Sequence, residues 1–127
     1  MKWKDGLKHW RKERSLTTPQ VSINEETGNP AIIDMLSEET TELKHALLTS
    51  NEHEEIDACA DHIVLASNHI AQKGYDIDLV MKEVIKEISS RTGEINPTTG
   101  KWTKYRTPEA QAKWYKADYS TCKLRGQ

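Results

Sequence analysis

The sequence predicts an all-α protein, a helical bundle with a small irregular C-terminal tail, completed by oligomerisation. Three observations predict it. Long segments between residues 31 and 90 carry apolar residues at helical spacing and are parted only by short breaks. Strand-like signal is confined to one short stretch near residue 95. The 127-residue chain is polar, 35% hydrophobic against 30% charged, with mean hydropathy −0.79 and no Phe. A monomeric core would be modest for that length, hence the expected oligomer.

The elements follow in order. Trp3, Leu7 and Trp10 stand at i, i+4 and i+7, a short amphipathic helix whose outer face, KHWRKER, is basic. Both tryptophans are expected in the core. Residues 15–30 (SLTTPQVSINEETGNP) form a loop with turn residues at Pro19, Gly28, Asn29 and Pro30. A long helix is predicted from about Ala31 to Leu48 and is broken by Thr49-Ser50-Asn51. A second runs from about Glu52 to Lys73 and stops at Gly74, a C-terminal stop glycine. Asp76 caps a third, with Ile77, Val80, Met81, Val84, Ile85 and Ile88 on one face, ending near Ser90-Arg91. EINPTTGKW predicts a small hairpin turning at residues 96–100, Pro108 opens a short helix, and the ending DYSTCKLRGQ is irregular. The whole, residues 1–127, reads as one domain with its core over about 31–93 and a C-terminal extension over 94–127.

Bulk properties exclude several classes. A formal net charge of −2 supplies no basic field and argues against nucleic acid or an anionic membrane as a partner. No stretch approaches the ~18 apolar residues of a membrane span. The opening MKWKDGLKHWRKERS has no continuous apolar run, so a secretory signal is not expected. The default location is the cytoplasm, the host's if the chain is phage-encoded. Cys59 and Cys122 lack metal-site or disulfide spacing, and Cys59 is expected to be a small buried filler.

The informative residues are acids. At ~100° per residue, Ile32, Met35, Leu36, Leu43, Ala46 and Leu47 form one stripe. Glu39 falls inside it, Glu42 at its edge and Glu38 just beyond. On the next helix Ile56, Ala60, Ile63 and Val64 mark the apolar side. Glu54, Asp57, Asp61 and Asn68 border that side within an arc of roughly 60°. Carboxylates meeting between packed helices repel one another and lose hydration. Protonation, pairing with Lys or Arg, or a divalent cation relieves this. Few basic residues share those faces, which favours a hard, oxygen-seeking cation such as Mg2+. Against this stands the ordinary solvated glutamate face, the favoured account of Glu38, Glu52, Glu55 and Asp34 taken singly.

Glu38-Glu39-Thr40-Thr41-Glu42 resembles the E-E-x-x-E signature of the MazG-like, all-α nucleoside triphosphate pyrophosphohydrolases. That family carries E-x-x-D on the following helix, similar to Glu54-Glu55-Ile56-Asp57-Ala58-Cys59-Ala60-Asp61 here. The likeness covers about Leu36 to Gly93, is weaker over the tail, and is greatest to compact phage and bacterial members. The second motif departs from the pattern. With Asp61 as the family aspartate, Ala58 stands where its glutamate belongs; with Asp57, Glu54 fits literally. Asp57 and Asp61 are favoured, with Glu54 in reserve.

The resemblance implies Mg2+-dependent hydrolysis of a (d)NTP between the α and β phosphates, with Mn2+ as a substitute ion. It implies metal ligation by Glu39, Glu42, Asp57 and Asp61, with Glu38 as proton acceptor. Lys86 and Arg91 fit the family's basic positions as phosphate contacts; otherwise they decorate a helix C-terminus. Asn68 contacts the sugar or a ligand-bound water, or else is satisfied inside the bundle. A homodimer or homotetramer is implied, because family members build the active bundle from more than one subunit. No Gly-rich phosphate loop is present. The alternative is a non-catalytic helical module that binds a nucleotide or a protein and keeps the acids as relics. Trp102, Trp114, Tyr115 and Tyr119 are expected to pack rather than stack on a base, and His53, His62 and His69 to be surface or interface residues.

Overall fold

The computed structural model describes residues 2–18 and 22–124. Pro19, expected in a turn, and the last three residues of the tail lie outside them. Among the described residues the fold is all-α apart from one two-stranded sheet. The chain divides into two compact units, Met1–Gly74 and Tyr75–Gln127.

The first unit holds α1 (Trp3–Glu13), α2 (Ala31–Leu48) and α3 (Glu52–Gln72). Pro30 precedes α2, where its missing N–H costs nothing. Thr49 ends α2, and Ser50 turns the chain with a left-handed φ of 53°. Asn51 then caps α3 by accepting from the Glu54 backbone N–H at 3.1 Å. The Asn51→Ala variant is expected to lose ~1 kcal/mol of stability, read from a shifted urea midpoint. Gly74, at φ 88°, terminates the helix as its sequence position predicts.

So short a turn makes α2 and α3 an antiparallel hairpin. They approach closely because small residues meet between them: Ala46 and Ala58 are each 1% exposed. His62 of α3 donates through Nδ1 to the Ala58 carbonyl at 2.8 Å, and its Nε2 lies 3.1 Å from Thr40 Oγ1 of α2. α1 lies on α3, tied by Arg11 to Asn68 and by a 3.2 Å bond from Gln72 Nε2 to the Leu16 carbonyl.

Three expectations are corrected here. The side of α3 expected to be buried is not, since Ile56 is 61% exposed and Ile63 57%. Cys59 is exposed rather than a buried filler. Trp3 and Trp10 are 58% and 40% exposed rather than core. The cause is rotational: α3 turns its Ala58, Asp61 and Leu65 side to its neighbours. That leaves the Ile56, Ala60 and Ile63 stripe uncovered.

The second unit begins with α4 (Ile77–Ser89), capped by Asp76, which accepts from Asp78 and Leu79 backbone N–H groups. Strands β1 (Gly93–Ile95) and β2 (Trp102–Lys104) pair antiparallel, with Glu94 opposite Thr103. Gly93 is required there: a Cβ would run into the Thr103 carbonyl and the Trp102 ring. α5 (Pro108–Ala112) and a 3-10 turn at Tyr119–Thr121 complete the unit. The tail is pinned to α4. Tyr115 donates its hydroxyl to Glu83 at 2.5 Å, and Asp118 N–H donates to the same carboxylate oxygen at 3.1 Å. The Tyr115 bond foremost holds Glu83 below the usual carboxylate range, and the same contact pushes Tyr115 up to about 12. Cys122 is fully buried, and its carbonyl accepts from Asp76 N–H at 2.7 Å.

Candidate active site

Glu39 interrupts the apolar row of α2 at the level where Asp61 of α3 comes opposite, and Glu42 follows one turn along the same face. Carboxylate oxygens of Glu39, Glu42 and Asp61 all lie within 4.8 Å of one another. Glu39 Oε2 is buried with no hydrogen-bond partner. Its carboxyl pKa is pushed up to about 7, first by burial, then by the hydrogen bond with Glu42 and the negative charge of Asp61.

An orphaned carboxylate oxygen in a cluster of three acids is poorly placed without a cation. The donor set is all hard oxygen and comes from two helices, which suits a divalent ion of the Mg2+ or Mn2+ kind. Without one, the cluster relieves itself by protonation, which the raised pKa of Glu39 expresses.

Of the expected ligands the structure brings together Glu39, Glu42 and Asp61, whereas Asp57 lies outside that group. Asp57 is exposed one turn before Asp61 and lines an open hollow with Glu52, His53, Ile56 and Ala60. Glu38 is exposed beside the cluster, and Glu54 is exposed at the first turn of α3. Ala58, which stands at the motif's glutamate position when Asp61 is taken as its aspartate, is buried at 1% exposed.

Asn68 is half-buried, and its Oδ1 accepts from Arg11 Nη1 at 2.8 Å. Within the second unit, Lys86 sits 4.1 Å over the Tyr115 ring and Arg91 4.2 Å over the Trp114 ring. Arg91 also lies 4.0 Å from Glu87, and its Nε is buried without a hydrogen-bond partner. The aromatics Trp114 and Tyr115 therefore pack against these cations. The residue that sequence reasoning missed is Arg11, assigned to an outer basic face. Its spacing was the available signal: it stands at i+4 from Leu7, on the row that meets α3.

The sequence pattern of the phosphoribosyl-ATP pyrophosphohydrolase family matches residues 6–88. That family lies in the same superfamily as the MazG-like all-α nucleoside triphosphate pyrophosphohydrolases, in agreement with the resemblance carried by the acidic motifs. None of the curated proteins compared with the chain matches it. Among the described residues, no helix is long and apolar enough to cross a membrane.

Proposed function

The chain belongs to the phosphoribosyl-ATP pyrophosphohydrolase family, and on that premise we propose that it hydrolyses (d)NTPs to the monophosphate and pyrophosphate with Mg2+. The supporting observation is the buried, unpartnered Glu39 oxygen within reach of Glu42 and Asp61.

Glu39, Glu42 and Asp61 would hold the ion, whereas Asp57, exposed one turn earlier on α3, stays outside that group. When bound, such an ion would polarise a phosphate oxygen and acidify the attacking water. Glu38, at the exposed margin, accepts the proton of that water. The water oxygen forms its bond to the α phosphorus, the bond to the bridging oxygen breaks, and the electron pair leaves with pyrophosphate. Asn68, its Oδ1 held by Arg11, presents its amide to the sugar. Lys86 and Arg91, which lie over Tyr115 and Trp114 within the second unit, are assigned as phosphate contacts on their positive charge alone.

A dimer or tetramer completes the bundle. The uncovered Ile56 and Ile63 stripe supports this, since ordinary exposed residues of a monomer are not aligned apolar side chains.

The test is release of pyrophosphate from each common NTP and dNTP, with and without Mg2+, the other product being identified as mono- or diphosphate. Monophosphate and pyrophosphate, formed only with the metal, are expected. No turnover of any NTP or dNTP, with binding retained, would favour the non-catalytic module. Turnover of phosphoribosyl-ATP alone would move the substrate to the compound for which the family is named.

A further inference from the structure

The net charge of −2 that argues against a nucleic-acid partner is the sum of unlike stretches. Residues 31–90 carry thirteen Asp and Glu against four Lys and Arg, whereas residues 91–124 carry seven Lys and Arg against three acids. The basic stretch lies in the second unit and holds three exposed aromatics. Trp102, expected to pack, is 49% exposed, Tyr105 42% and Tyr119 38%.

The hairpin organises part of this surface. Trp102 stands opposite Ile95, and Lys104 opposite Gly93, so Ile95, Trp102 and Lys104 share one face. Glu94, paired with Thr103, stands on the other face. The Trp102 ring reaches back across Gly93, whose missing Cβ leaves room for it. The indole is thus braced against the strand while remaining half exposed. Lys101 precedes it, and Lys104 and Arg106 follow, all within ~13 Å along the chain at ~3.3 Å per residue.

Neighbouring rings are already engaged. Arg91 and Lys104 lie 4.2 and 5.1 Å over Trp114, and Lys86 lies 4.1 Å over Tyr115. Among the described residues no cation lies over Trp102, and no carboxylate pairs with Lys101, Lys104 or Arg106. An open ring beside cations free of acids takes the face of any base while the cations take phosphates. A duplex keeps its base faces stacked and gives the ring nothing to cover. An anionic bilayer would use the charges, but one indole and one isoleucine are little apolar area to insert.

We propose that the β1–β2 hairpin is a binding surface for single-stranded nucleic acid, with Trp102 stacking on a base and Lys101, Lys104 and Arg106 meeting the phosphates. It uses none of the acids of the first unit and does not depend on the hydrolysis argued above.

Fluorescence anisotropy of a labelled oligothymidylate without terminal phosphate tests it on the full chain, in EDTA so that no metal holds phosphate at the acids. The expected Kd is on the order of 10⁻⁵ M in about 50 mM salt. The logarithm of the affinity is expected to fall against that of salt with a slope of about −2, at ~0.7 for each of three cations. Trp102→Ala is expected to raise Kd about tenfold, the scale of one lost base stack, and Trp102→Phe to restore most of the loss. Arg106→Gln is expected to flatten the salt slope by about 0.7. A circular dichroism melt checks that each variant folds. Should Trp102→Ala disturb the fold, the two milder variants still decide, through the retained affinity of one and the flattened slope of the other.

No binding at the lower salt, or an unchanged Kd in a folded Trp102→Ala, overturns the proposal. So does tighter binding to a duplex of the same length, or to phosphatidylserine vesicles, than to the single strand.

Discussion

Replacing Glu39 by Gln is expected to abolish nucleotide hydrolysis while leaving a folded protein. The substitution keeps shape and hydrogen-bonding capacity but removes the charge at the centre of the cluster. Electrostatic stabilisation by a divalent ion contributes several kcal/mol to a phosphoryl transition state. At 1.36 kcal/mol per factor of ten, its loss costs on the order of 10³-fold in kcat/KM. The stability effect runs the other way. Glu39 Oε2 is buried and unpartnered beside two further acids, so its neutral replacement relieves repulsion in the metal-free chain. Less activity with more stability is the signature of an acid retained for function, and a thermal melt alongside the pyrophosphate assay reads both. A Glu39→Gln protein with full activity contradicts the assignment.

Stability and metal binding are expected to depend on pH in opposite senses. The Glu39 carboxyl, ordinarily near 4.5, is pushed up to about 7 by burial and its acidic neighbours. Between those values the folded chain holds a proton that the unfolded chain has released. The stability this contributes is full below the unfolded pKa and is lost as pH rises through about 7. Mg2+ binds the ionised form and opposes the loss, so its stabilising shift in Tm is largest above neutrality and smallest well below it. Its apparent Kd rises as pH falls below the raised pKa, by up to ~10-fold per pH unit for one competing proton. Melts from about pH 5.5 to about 8.5, with and without Mg2+, check this linkage. In Glu39→Gln the metal-free slope flattens. A Mg2+ shift that is the same at every pH overturns the account.

How much of this was legible in the sequence differs by residue. The bounds of α2 and the stop at Gly74 were readable, because Pro30, Ser50-Asn51 and Gly74 act locally on the backbone. Glu39 was readable because an acid inside an apolar row is anomalous whatever the partner helix does. The rotation of α3 was not. Its apolar stripe at Ile56, Ala60 and Ile63 is stronger than the side it buries, where Ala58 is 1% exposed. That one rotation moves Cys59, Ile56 and Ile63 outward and leaves Asp57 outside the group that Asp61 joins. The partition at Gly74 and Tyr75 was equally hidden, because Gly74 reads the same as an interhelix stop or a unit boundary. Arg11 escaped because a basic residue at the margin of an amphipathic helix is by default assigned to solvent.

The central claim is that acids from α2 and α3 jointly hold a divalent ion, and Mn2+ titration followed by electron paramagnetic resonance tests it most directly. The free-ion signal should be quenched by the parent chain, restored by competing Mg2+, and left unquenched by both Glu39→Gln and Asp61→Asn. Equal quenching by the parent and both variants would place the ion elsewhere and contradict the account.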